Sequence, residues 1–178
     1  MNELILPNWT LPVPTTAGPA ETHCVPEKTF LVDDEELRSL VQAARRARAL
    51  AYAPFSRFHV GCALTMADDP AQKVLTAANV ENSSYGLTMC AERVALHHAA
   101  AAGFRQVRYL AVSCPSTQPS ALAERSPCGA CRQVIKEFAD AATLILIDRG
   151  TPDLSADVFD IERLLLFGFR FVAPPMSA

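Results

Sequence analysis

The 178-residue chain has no apolar run long enough to span a bilayer, so no membrane-crossing helix is expected. Its N-terminus lacks a basic stretch followed by a short apolar segment and a cleavage site, so no secretory signal is expected either. Positive charge is not in excess: 16 Lys and Arg stand against 19 Asp and Glu, a formal net charge of −3. Proteins that grip nucleic acid regardless of sequence take most of their affinity from phosphate contacts and are normally basic. Polymeric DNA or RNA is therefore not an expected partner, and a small ligand fits the balance better. No internal repeat divides the chain.

What the chain does have is the size and composition of one globular domain, 50% hydrophobic and 20% charged. It also has six cysteines. Without a signal these belong in a reducing, cytoplasmic setting, where clustered cysteines more often bind metal or do chemistry than form a disulfide framework.

Residues 1–32 hold five of the 13 prolines (Pro7, Pro12, Pro14, Pro19, Pro26) and read as an irregular arm. The catalytic domain is expected over 33–178. Asp33 with Glu36 resembles a capping box, and Leu37, Leu40, Val41, Ala44 and Ala47 then recur at helical spacing. Arg45, Arg46 and Arg48 fall largely off that stripe and read as a solvated face. Two strands are expected over 58–66 and 74–80, joined by a turn at Asp68, Asp69 and Pro70. A helix follows from near Met89 to Gly103, then a strand at 107–113, a Pro- and Ser-rich loop at 114–126, a helix at 128–138, a strand at 144–147 and a last helix at about 156–166. Helices interleaved with strands give an α/β class with at least four strands in one sheet.

Two short segments carry the chemistry. Cys90-Ala91-Glu92 is followed by Pro127-Cys128-Gly129-Ala130-Cys131. Zinc deaminases carry a His-x-Glu or Cys-x-Glu motif ahead of Pro-Cys-x-x-Cys, and the Glu is not a ligand. Three thiolates would leave a fourth tetrahedral position open, the catalytic arrangement rather than the closed structural one. Cys90 and Cys128 both stand at expected helix starts, where unpaired N–H groups and the helix dipole favour a thiolate. Three thiolates on Zn²⁺ carry a net charge of −1, and Arg93 is the obvious cation to offset it. Glu92 would serve as the general acid and base. Taken singly, Cys128 and Cys131 also fit a redox pair or half of a structural zinc site, and Glu92 an ordinary helix surface.

With these motifs the sequence resembles the cytidine deaminase family, specifically its short, homotetrameric, three-cysteine branch. The resemblance covers roughly Asp33 to Phe169. It includes Ala53-Pro54-Phe55-Ser56-Arg57-Phe58-His59-Val60-Gly61 and Asn79-Val80-Glu81-Asn82-Ser83-Ser84-Tyr85-Gly86. It implies a three-layer α/β/α sandwich around a five-stranded mixed sheet, one zinc ion per subunit, and hydrolytic deamination of cytidine and deoxycytidine in pyrimidine salvage. It further implies that Asn79 and Glu81 bind the ribose, Phe58 packs on the base and the Ala91 backbone reads the pyrimidine edge. Arg93 and Gln133 would donate to the thiolates. Phe169, or Phe167 in its place, would cover the active site of a neighbouring subunit, with Leu166 standing where the family usually has Pro.

Other readings stay open beside these. Phe58 also fits a strand core, and Asn79 and Glu81 fit polar residues ending a strand. Deamination of an antibiotic nucleoside is a rival because its enzymes use the same three-cysteine site. Nucleotide and nucleic-acid deaminases commonly use His as first ligand, where this chain has Cys90. A zinc-stabilised binding protein would not need Glu92. His97 and His98 read as surface groups, Cys62 as core and Cys24 as inert.

Overall fold

The computed structural model describes residues 1–16, 18–115 and 121–171. Five strands form one mixed sheet: β5 (Gly61–Met66), β6 (Leu75–Ala78), β7 (Val107–Ser113), β8 (Leu144–Asp148) and β9 (Ala156–Phe159), after four strands in the N-terminal segment. The sheet order is β6-β5-β7-β8-β9, antiparallel throughout except for the parallel pair β7–β8. The helices are α1 (Asp34–Ala47), α2 (Ala91–Ala101), α3 (Leu122–Arg125), α4 (Gly129–Phe138) and α5 (Ile161–Leu164).

Alternation along each strand sends side chains to two cores. Cys62, Leu64 and Met66 of β5 meet Leu110, Val112, Ile145 and Ile147 under Ala95, Leu96 and Ile135 of α2 and α4. Ala63 of β5 faces the other way, with Tyr109, Ala111, Leu144 and Leu146, against Leu37, Leu40, Val41 and Ala44 of α1. Both faces are therefore covered, and β5 and β8 are buried along their whole length. This is the expected α/β/α sandwich. Among the described residues no helix is long and apolar enough to cross a membrane.

The N-terminal segment corrects the expectation of an irregular arm. Here β1 (Asn2–Leu6) pairs with β4 (Lys28–Val32), and β2 (Trp9–Val13) with β3 (Glu21–Val25). The pairings Leu6–Lys28 and Trp9–Val25 keep one register, so the segment is a single long hairpin interrupted at Pro7-Asn8 and Pro26-Glu27. A two-stranded ribbon has a free edge on each strand, which is where proline is tolerated in a sheet. Leu6 and Val32 anchor the base of the hairpin in the α1 core.

Two further expectations change. The helix expected at about 156–166 is a strand followed by one helical turn, because Ala156–Phe159 complete the ladder of β8 before Asp160 caps α5 through the Arg163 N–H. Arg45 is not solvated: it forms a two-point ion pair with the buried Asp148, through Nε at 2.7 Å and Nη2 at 2.6 Å. At α1, Asp33 caps as expected by accepting from the Glu35 N–H. Glu36 turns away from that N-terminus to pair with Arg108.

Candidate active site

Residues from three loops are stitched side by side through one backbone segment. The Tyr52 N–H donates to the Asn79 carbonyl and the Glu81 N–H to that of Tyr52. Val80 exchanges both of its backbone bonds with Met89, each 2.9 Å. The loop after α1, the Asn79–Asn82 segment and the lead-in to α2 therefore hold fixed relative positions. Gly61, where β5 starts beneath them, touches α1 so closely that a Cβ there would lie 2.1 Å from the Ala44 carbonyl oxygen.

The sulfurs of Cys90, Cys128 and Cys131 all lie within 4.8 Å of one another. Cys90 is the N-cap of α2 and Cys128 that of α4, and neither makes a side-chain capping bond. Their sulfurs lie beside helix N-termini whose first N–H groups have no partner within the helix. The set fits zinc: three soft donors, close together, on two rigid helix starts and a first turn.

The Cys90 and Cys131 thiols are shifted in opposite directions. Cys90 is pulled down to about 5, first by a hydrogen bond from the Cys131 thiol, then by Arg93. Cys131 is pushed up by the same contact and by burial. Arg93 Nη2 lies 3.9 Å from Cys90 Sγ and donates to the Thr88 carbonyl at 2.9 Å, so one guanidinium braces both the ligand and its loop. Gln133 is placed otherwise than expected. Its amide donates to the Phe169 carbonyl at 2.8 Å and ties the C-terminal segment to α4. The brace on the Cys128 side is Arg132, which donates to the Pro127 carbonyl, to Ser126 Oγ and to the Leu164 carbonyl.

Glu92 is 3% exposed, and its Oε2 has no hydrogen-bond partner. Burial, with the negative charge of Cys90, pushes its carboxyl up to about 7. A carboxyl poised near neutral pH can both take and give a proton.

A cleft of about 410 Å³ opens over this cluster, lined by Phe58, Asn79, Glu81, Cys90, Glu92 and Cys128 among others. Asn79 accepts from the Val60 N–H at 2.8 Å and donates to the Phe58 carbonyl at 2.9 Å, which locks the backbone on both sides of His59. Glu81 accepts from the Phe55 and Ser56 N–H groups and from the Ser56 hydroxyl. The Ser56 bond and those two backbone bonds together outweigh desolvation and hold its carboxyl below the usual range. Phe58 stands half-exposed at the cleft. Ala91, the first residue of α2, is fully buried. Phe167 and Phe169 are exposed and do not line the cleft of their own chain; Phe167 packs against the His23 ring at 4.7 Å between centroids.

Four residues of the site carry no role in the sequence reading. Ser56 and Arg132 lie inside the motifs, but nothing local marks what they bind. Arg125 and Cys114 line the cleft wall from a loop that has no periodic signal.

The model of the cytidine and deoxycytidylate deaminase zinc-binding region matches residues 34–147. The chain belongs to the cytidine deaminase family. A cytidine deaminase of Halalkalibacterium halodurans is 41% identical over 138 residues, covering 78% of this chain and 96% of that protein. A probable cytidine deaminase of Dictyostelium discoideum is 40% identical over 123 residues, covering 67% of this chain and 78% of that protein. The crystal structure of the cytidine deaminase from Burkholderia pseudomallei shares 40% identity and superposes with a TM-score of 0.63, covering 74% of this chain and 97% of that one. The family match begins at Asp34, so the N-terminal hairpin lies wholly outside it.

Proposed function

We propose that the protein is a zinc-dependent cytidine deaminase that hydrolyses cytidine to uridine and deoxycytidine to deoxyuridine, releasing ammonia, in pyrimidine salvage. The observation that carries this reading is the buried Glu92 carboxyl, whose Oε2 has no hydrogen-bond partner, two residues after a cysteine whose sulfur lies within 4.8 Å of two others. Its support is the name shared by relatives at about 40% identity.

Cys90, Cys128 and Cys131 would hold one zinc ion per subunit. Bound there, zinc supplies the Lewis acidity that makes water a nucleophile at neutral pH. Glu92 takes a proton from the attacking water and delivers protons to the ring nitrogen and then to the departing amine. Asn79 and Glu81 bind the ribose hydroxyls at the polar end of the cleft. Phe58 packs on the base, and the Ala91 backbone reads its edge. Arg93 offsets the excess negative charge of three thiolates. We place the enzyme in the cytoplasm as a homotetramer in which Phe169 of one subunit closes the cleft of the next.

Chromatography of cytidine incubated with the purified protein tests the reading, with Glu92→Gln alongside. Uridine formation by the wild type, with loss in a variant that keeps its zinc, is expected. Zinc bound with no uridine formed would refute the activity, and a protein that takes up no zinc would refute the site.

A further inference from the structure

We propose that Arg125 is a positioning residue for the metal centre, tying the loop that delivers Cys128 to the far ends of β8 and β9. The inference rests on the zinc deaminase reading above.

Arg125 closes α3, three residues before Cys128, on the segment that leaves β7 and enters α4. It lines the open cleft, yet its side chain is only 3% exposed. Nη1 donates to the Asp148 carbonyl at 2.8 Å, and Nη2 pairs with Asp157 Oδ2 at 3.1 Å. Both acceptors are themselves fixed. Asp148 ends β8, and its carboxylate accepts from Arg45 of α1, from Ser113 Oγ at the end of β7 and from the Gly150 N–H. Asp157 lies in β9 and is gripped from the solvent side by Arg149, at 2.9 and 2.5 Å on Oδ1.

The two arginines flanking Cys128 do different things. Arg132 belongs to α4, ties Ser126 and Pro127 to that helix, and ties the helix to the Leu164 carbonyl at the end of α5. Arg125 ties the same loop to the sheet. Cys90 also takes its place from the sheet, because α2 packs on β5 and β6, with Ala95, Leu96 and Ala99 buried in the core they share. Arg125 thus sets Cys128 in register with Cys90. One planar fork reaching a carbonyl and a carboxylate in different directions cannot be replaced by the single ammonium of lysine. A site whose supporting residues are loosened keeps its ligands but loses their spacing.

The test compares wild type, Arg125→Lys, Arg125→Met and Arg149→Gln. Arg149→Gln is the control because it strips the solvent-side partner from the same Asp157. Zinc affinity is read by competition with a chromogenic chelator, site geometry from the absorption bands of the cobalt-substituted protein, and turnover as separate kcat and KM for cytidine. Arg125→Lys should bind zinc about tenfold or more weakly, with altered cobalt bands and kcat lowered while KM stays within about twofold. Its metal-free melting temperature should stay within about 3 °C of wild type. Arg149→Gln should match wild type in zinc affinity and kcat. Arg125→Lys with wild-type zinc affinity and kcat overturns the proposal. So does a loss of zinc that merely follows a collapse in metal-free stability, or an equal loss in Arg149→Gln. A wild type that takes up no zinc overturns the site reading and this inference together. A zinc-loaded wild type beside an unaffected Arg125→Lys overturns this inference alone.

Discussion

Arg45 and Asp148 form a two-point ion pair in which the Asp148 side chain is 1% exposed and the Arg45 side chain 23%. Burial by itself would raise the Asp148 carboxyl, but the bonds from Arg45, the Gly150 N–H and Ser113 outweigh it and hold it below the usual carboxylate value. A depressed folded-state pKa contributes stability that is fully present above the unfolded value of about 3.9 and is lost as pH falls through the folded value. Wild-type stability should therefore decline on acidification below about pH 4, and Asp148→Asn should flatten that acid limb. Arg45→Met leaves the carboxylate buried without its cation and should cost about 3 kcal/mol at neutral pH. Urea unfolding across pH checks both; an unchanged acid limb in Asp148→Asn would refute the linkage.

Gly61 admits no side chain. A Cβ would stand 2.1 Å from the Ala44 carbonyl oxygen and 2.7 Å from the Arg48 nitrogen, both backbone atoms that cannot swing aside. Gly61→Ala must push α1 off the sheet, an overpacking cost of about 3 kcal/mol. Since β5 begins directly after the Phe58–Val60 wall of the cleft, the variant should lose melting temperature and raise KM for cytidine together. A melt within about 2 °C of wild type would contradict the close approach.

Legibility in the sequence follows the range of the interaction. The cluster of Cys90, Cys128 and Cys131 with Glu92 beside it can be read because spacing of two or three residues at a helix start fixes geometry locally. The alternation in β5 and the stripe of α1 reveal the layers, since each periodicity reports one element's own buried face. Arg45, Arg125 and Gln133 escape a sequence reading because their partners lie far along the chain; Arg45 reaches 103 residues to Asp148. The hairpin at 1–32 is hidden by its prolines, which count against a strand only where both edges are paired. Ala156–Phe159 looks helical because a four-residue edge strand joined to a one-turn helix mimics one apolar stripe.

Asn79 uses both ends of its amide on the backbone of Phe58 and Val60, so its removal has a structural and a functional component. Asn79→Ala strands the part-buried Val60 N–H and should cost about 1 kcal/mol or more. Under the proposed ribose role it should also raise KM for cytidine while leaving zinc content intact. Asn79→Asp can still accept from Val60 but cannot donate to the Phe58 carbonyl, and should fall between. Steady-state kinetics with metal analysis checks this; an unchanged KM in Asn79→Ala would remove Asn79 from the ribose site.

Arg163 holds the N-terminal hairpin at its weakest point. Its Nη2 donates to the carbonyls of Leu6, Pro7 and Pro26, at the point where prolines interrupt the hairpin. Its Nη1 pairs with the buried Asp160, which Lys28 also reaches at 3.0 Å. Arg163→Met should free three carbonyls at once and detach the distal strands while the base stays anchored by Leu6 and Val32. Hydrogen exchange over 9–25 should then rise by at least about tenfold, the equivalent of losing about 1.4 kcal/mol of local stability. Exchange over β5, β7 and β8 should stay as in wild type, because none of their ladder bonds involves the hairpin. Equal protection of 9–25 in both proteins would mean that the hairpin is held by its own pairing, and that Arg163 serves only to neutralise Asp160.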